Sequence, residues 1–251
     1  GLCALIIEWW RNRTGGKNPS PAMVKALLVN GAIDIAGGPD GHGGTLANIP
    51  NNNQGWGRVS LQNMVLQAPM SDRGPKIFSD QRHAFTALGQ EYNLTISPVD
   101  TGRPLRITLV WTDAAASDGS NPALVNDLDL EVVEIATGQR FKGNRFTNGF
   151  STTGGSFDQL NNTECVYLRN PSGLYEVNII ASGISASANP TIPTPWQDFA
   201  LVIDNAEYAS ASPVNIVPVI DRSGSMVGAG YVDVTRASSR QFVDLMNIND
   251  G

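Results

Sequence analysis

The 251 residues carry 17 Lys and Arg against 23 Asp and Glu, a formal net charge of −6, and only 16% of them are charged. That balance lacks the basic footprint of a nucleic-acid-binding protein, and the longest apolar run, at the amino end, is too short and too interrupted by Glu8 to span a bilayer. Gly (26) and Pro (15) are plentiful, which suits a turn-rich β protein better than a helical bundle.

The first segment reads as helical. Leu2 to Trp10 is strongly apolar and is preceded by no capping residue, so the start of this helix is expected upstream and the chain is expected to be a segment of a longer protein. Gly15-Gly16 breaks it. Ser20-Pro21 then starts a second helix, with Ser20 as cap and Pro21 in the first turn, where no N–H partner is needed. Asn30-Gly31 is expected to end it, with Gly31 in a left-handed turn. A glycine-rich loop from Gly37 to Asn53 follows. The second segment, about Ser79 to Tyr208, alternates in the β manner. Strands are predicted over 82–87, 92–96, 105–111, 129–135, 164–168, 174–181 and 199–203. Turn signals such as Thr137-Gly138 and Asn148-Gly149 separate them, which implies a two-sheet β-sandwich or jelly roll. After a linker at 209–213, Val214–Ile220 is a continuous apolar run, as expected of a strand buried on both faces, and a Gly/Ser loop and a helical stretch follow.

Two constellations of oxygen ligands stand out. Asp221, Ser223 and Ser225 follow the buried strand at alternate positions, where one carboxylate and two hydroxyls can converge on a hard cation; the alternative is a polar loop capping the next helix. Asp127 and Asp129 share one face of an extended segment, with Leu128 and Leu130 on the other. Their mutual repulsion calls for water, a base or a cation, and Ca2+ suits them, with Asn161, Asn162 and Glu164 as possible further ligands and Asp113 or Asp118 as substitutes. The alternative is a solvated edge. His42, flanked by glycines, has no identifiable nucleophile as partner, and His83 lies inside an alternating strand. Cys3 and Cys165 show no metal or redox spacing and are expected to be buried free thiols. The glycines from Gly37 to Gly44 lack the Lys-Ser/Thr of a phosphate loop. Glycosylation patterns at Asn12, Asn93 and Asn161 are of a kind frequent by chance.

Three resemblances organise these features. Val214 through Met226 resembles the first strand and metal-binding motif of a von Willebrand factor type A domain. This implies a Mg2+ or Mn2+ site at Asp221, Ser223 and Ser225, with further ligands past Gly251 and a protein as possible ligand. The opening helix, the Ser20-Pro21…Lys25-Ala26-Leu27-Leu28 helix and an expected strand over 53–59 resemble the carboxyl-terminal end of a subtilisin-like serine peptidase domain. In that family the nucleophilic serine would lie roughly two helical turns upstream of Gly1. Leu105 to Asp113, Leu124 to Leu130 and Asn161-Asn162-Thr163-Glu164 resemble the β-sandwich that follows the catalytic domain in one group of large subtilases, some members of which bind calcium there.

The resemblances imply mainly β structure with α/β pieces, in a peptidase-domain remnant over 1–76, a jelly-roll β-sandwich over 79–208 expected to fold on its own, and the first strand and helix of a von Willebrand type A domain over 214–251. The parent is expected to be a secreted or cell-surface, bacterial, subtilisin-like endopeptidase acting on protein or peptide substrates. No catalytic residue is assigned in this segment, which is expected to be inactive alone. The alternative is a non-catalytic adhesion protein on a degenerate peptidase scaffold.

Overall fold

Ser20 caps the second helix as its position predicts. In the computed structural model, which describes residues 1–65 and 76–209, the Ser20 hydroxyl accepts the Met23 backbone N–H at 2.9 Å and Pro21 occupies the first turn. Three helices form among the described residues: α1 (Leu2–Arg13), α2 (Pro21–Gly31) and a short α3 (Leu61–Val65). Gly31 does not adopt the predicted left-handed turn. It ends α2, and Ala32 beyond it runs extended. Its lack of a side chain serves packing instead, because a Cβ there would stand 2.6 Å from Met64 Cγ and 3.2 Å from the Met64 backbone nitrogen.

Ten strands follow among the described residues: β1 (Lys76–Phe85), β2 (Glu91–Pro98), β3 (Leu105–Val110), β4 (Asp127–Glu134), β5 (Arg140–Thr147), β6 (Phe150–Thr153), β7 (Thr163–Leu168), β8 (Tyr175–Gly183), β9 (Gln197–Asp204) and β10 (Ala206–Tyr208). Each predicted strand of the second segment has an observed counterpart, while β5, β6 and β10 were not foreseen. The expected strand over 53–59 is absent. Only isolated bridges form there, Arg58 to Ile33 and Gly55 to Asn51, because Gly55 and Gly57 both turn the chain at positive φ and Gly57 lies against the Ile33 carbonyl.

The architecture is mainly β. Two antiparallel sheets have the orders β1-β9-β3-β7 and β10-β2-β8-β4-β5-β6. Alternate residues of both point into one shared core: Leu105, Ile107, Leu109, Leu201 and Ile203 from the first sheet, and Leu128, Leu130, Val132, Val177 and Ile179 from the second. A second core lies on the other face of the four-stranded sheet. There Val110, Ala200 and Val202 meet Ile6 and Trp10 of α1, Met23, Ala26 and Leu27 of α2, and Met64 of α3. Trp9, Trp10 and Phe78 pack edge to face at 5.7–6.0 Å. The helical segment and the strands thus share buried side chains within one compact unit, residues 1–209.

The attachment is polar as well as apolar. Asn30 of α2 donates through Nδ2 to the carbonyls of Arg106 and Val202 and to the Thr108 hydroxyl. Arg106 reaches back with its guanidinium to the carbonyls of Val29 and Ala32. It lies 3.8 Å from the centroid of the Tyr167 ring, whose hydroxyl also donates to Val29. At the other end of α2, Asp80 accepts both the N–H and the hydroxyl of Ser20. Cys165 is buried, as expected, and its thiol is pushed up to about 12, chiefly by burial. Cys3 is exposed, contrary to expectation: it shares the helix face of Ile6 and Trp10 but stands in the first turn of α1, at the end of that buried stripe.

The outer margin of β7 is finished by side chains. The Asn144 amide donates to the Thr163 carbonyl at 2.8 Å and accepts the Cys165 N–H at 3.0 Å, while the Ser151 hydroxyl accepts the Tyr167 N–H at 2.9 Å. Asn144 holds φ +60 to do so, a conformation that Asn tolerates better than most residues.

Candidate functional site

The aspartates singled out in the sequence lie at the start of β4 and belong to a larger acidic cluster. Leu128 and Leu130 enter the core, as alternation requires. Asp129, 2% exposed, sits on the other face and accepts the Ser182 hydroxyl through Oδ2. Asp127 is half-buried, and a bulge separates it from Leu128 in the pairing with β8. Glu164, from β7 of the other sheet, is fully buried, and its Oε2 accepts the Leu130 N–H at 2.6 Å. The insertion has a clear cause. The β4–β5 ladder runs over Glu131–Val133, and Glu164 fills the place beside Leu130, over Gly143 of β5.

In this cluster three carboxylate oxygens are buried with no hydrogen-bond partner among the described residues: Asp127 Oδ1, Asp129 Oδ1 and Glu164 Oε1. Burial, reinforced by the neighbouring Asp129, Asp158 and Asp113, pushes the Asp127 carboxyl up to about 6. Burial likewise raises Asp129, against the opposing hydrogen bond from Ser182, and raises Glu164 well above the ordinary carboxyl range. Asp158 behaves in the opposite way. Burial acts to raise it, but hydrogen bonds from Asn144, Asn161 and the Leu160 N–H outweigh that and hold it below its usual value.

The other predicted residues take different places. Asp113 accepts the N–H groups of Ala114, Val125 and Asn126 and so shapes the turn that feeds β4. Asn162 bridges the Trp111 carbonyl and the Lys25 ammonium, and Asn161 braces Asp158. His42 is exposed in its loop, where its backbone N–H is tied to Asp40, and His83 is exposed on β1 with its ring 4.1 Å from that of Tyr92. Neither imidazole hydrogen-bonds a Ser or Asp side chain among the described residues. Asp221, Ser223 and Ser225 lie outside the described residues. Sequence reasoning missed Asp158, Asn144, Gly143 and Ser182. Asp158 carried a weak signal, as a lone acid beside an Asn-Asn pair; Gly143 and Asn144 carried none, because strand β5 was not foreseen, and Ser182 lies one residue past the predicted end of its strand, β8.

Hard oxygen donors with unused lone pairs are what a calcium ion takes. The spacing falls short of a coordination shell, however: among the described residues no three His, Cys, Asp or Glu side chains are grouped so as to hold a metal ion. Protons can serve the same carboxylates. A carboxyl raised on folding contributes stability that is fully present below its unfolded value and is lost as pH rises through its folded value, about 6 for Asp127. The chain in chelator is therefore expected to melt a few degrees higher at pH 5 than at pH 7.5, with Asp127→Asn removing part of the difference. A melting temperature that rises steadily from pH 5 to 7.5 in chelator would contradict this.

Fold and cluster together define a mainly β unit of two antiparallel sheets with a few short helices and a buried acidic cluster, with no catalytic or metal centre evident among the described residues. No family model matches the chain. It is distantly homologous to "Serine protease/ABC transporter B family protein tagA" of Dictyostelium discoideum, with 32% identity over 180 residues; the alignment takes in 69% of this chain and 10% of that protein. The chain thus spans about a tenth of the length of the relative it matches.

Proposed function

We propose that this chain is a segment of a secreted or cell-surface subtilisin-like serine endopeptidase. On this reading residues 1–76 are the last elements of the catalytic domain, 79–208 a jelly-roll domain that stabilises it, and 214–251 the first strand and helix of a metal-dependent von Willebrand type A module. The observation that carries the reading is the 32% identity to a protein named as a serine protease. The sequence order of two helices, the second capped by Ser20, followed by a two-sheet β unit supports it. In the whole protein a His would take the proton of the attacking Ser, oriented by an Asp, and a polypeptide would be the substrate. None of the three is assigned within these residues. Calcium at Asp127 and Asp129 and Mg2+ or Mn2+ at Asp221, Ser223 and Ser225 belong to the same proposal.

The 251-residue chain alone is expected to leave casein intact. Hydrolysis by the purified chain that a serine-directed phosphonate stops would overturn that expectation. The proposal itself is tested upstream of Gly1. The coding sequence there is expected to read Gly-Thr-Ser followed by small residues, and protein extended to include the whole upstream domain is expected to cleave casein and to lose activity when that Ser is replaced by Ala. Another residue at the serine position, with no cleavage, would favour an adhesion protein on a peptidase scaffold.

A further inference from the structure

An open cleft of about 490 Å3 lies between α2, the turn at Pro50–Trp56, and the margin formed by β5, β7 and the loop before β7. Asp158 lines it and also senses the acidic cluster, so the cleft adjoins that cluster without being part of it. We infer that this cleft binds a neutral carbohydrate, with Trp56 as the platform for one sugar face and Lys25, Asn52 and Asn161 as hydrogen-bonding groups for its hydroxyls.

The size is that of a small-ligand site, which commonly measures roughly 300–1,000 Å3. The wall decides the ligand's polarity. It is built largely of asparagine amides, and an apolar ligand would strip water from these without replacing their hydrogen bonds. It also decides the charge. Lys25 and Asp158 put one charge of each sign on the lining, with further carboxylates behind Asp158, so a cation meets the ammonium and an anion meets the acids. Asp158 itself is already occupied by the amides of Asn144 and Asn161 and the N–H of Leu160.

What the lining leaves uncommitted is a mixture of donors and acceptors. Lys25 Nζ donates to Asn162 Oδ1 at 2.9 Å, with no other partner among the described residues. The indole N–H of Trp56 and the amide of Asn52 have no partner among the described residues. Asn161 spends its N–H on Asp158 and keeps its carbonyl oxygen. A sugar hydroxyl both donates and accepts, so it can use each of these groups. Trp56 is half-exposed and held edge to face by Phe146 at 5.7 Å and Tyr167 at 6.1 Å, so its ring is set before any ligand arrives.

The test is a titration of the 15N-labelled 251-residue chain with maltose, cellobiose and diacetylchitobiose, and separately with triglycine amide as a neutral peptide. The Trp56 indole signal is identified by its loss in Trp56→Phe. At least one disaccharide is expected to shift that signal saturably in the millimolar range. Asn52→Ala combined with Asn161→Ala is expected to weaken binding at least tenfold while the melting temperature of the Asn52→Ala single variant stays unchanged. A Trp56 signal that no disaccharide moves, that only the peptide moves, or that the sugar moves equally well in the double variant overturns the inference.

Discussion

Gly143→Ala is expected to lower the melting temperature of the chain by about 10 °C. A Cβ at this position would stand 2.2 Å from Glu164 Oε2, 2.7 Å from its Cδ and 2.8 Å from its Cβ. The carboxylate tip can swing aside, but the Glu164 Cβ is fixed to β7, so the two sheets must separate locally. Overpacking of this kind costs about 1–3 kcal/mol. Moving Glu164 also strands the Leu130 N–H, a buried donor worth about 1–3 kcal/mol when unsatisfied. Glu164→Gln is the control. Its amide oxygen can still accept from Leu130, and it removes a carboxyl that resists ionisation, so at pH 7.5 it is expected to melt at or above the unaltered chain. Calorimetry on the two variants decides the matter. A Gly143→Ala chain that melts with the unaltered one would show that Glu164 is not wedged between the strands.

Arg106→Leu is expected to cost about 3 kcal/mol and to loosen α2 before the sheets. The guanidinium is the donor for two carbonyls at the end of α2, where the helix dipole also favours a cation, and its face lies on Tyr167. A leucine fills much of the space but takes a donor from each carbonyl, leaving that of Val29 with the Tyr167 hydroxyl and the Ala32 N–H. Hydrogen exchange is expected to speed up at Ala26 to Asn30 more than in β4 or β8. The same packing predicts that residues 76–209, expressed without the helices, expose Phe78, Val110, Ala200 and Val202 and melt well below the full chain. Equal melting temperatures would restore the expectation that the strands fold independently.

The strands that alternate strongly were legible because their pattern is the physical cause of their burial: Leu128, Leu130 and Val132 point inward for the reason that makes them visible. β5 and β6 were illegible because Arg140–Thr147 and Phe150–Thr153 are largely polar, with patchy burial, and lie toward one edge of their sheet. That gap hid Gly143 and the place of Asp158 in the acidic cluster, although Glu164 was legible as a possible further ligand. Asp127 and Asp129 stand two residues apart in sequence, but Glu164 and Asp158 reach them from β7 and the loop before it, through a space that Gly143 keeps open. Gly31 shows the complementary error. A glycine at a helix end suggests a turn, yet here it answers to Met64 from a different helix, a contact that local sequence does not encode.

The side chains that finish β7 bear on solubility. A strand at the border of a sheet normally offers a row of unmet backbone groups on which a second molecule can zip. On β7 the amide of Asn144 acts as a surrogate peptide unit, and Ser151 supplies the next acceptor along, so the template is spent within the same molecule. Aggregation resistance along this border therefore resides in two small polar residues rather than in a covering strand. Apolar replacements at either would leave the fold's hydrophobic core untouched while opening a sticky rail for copies of the chain to join end on end.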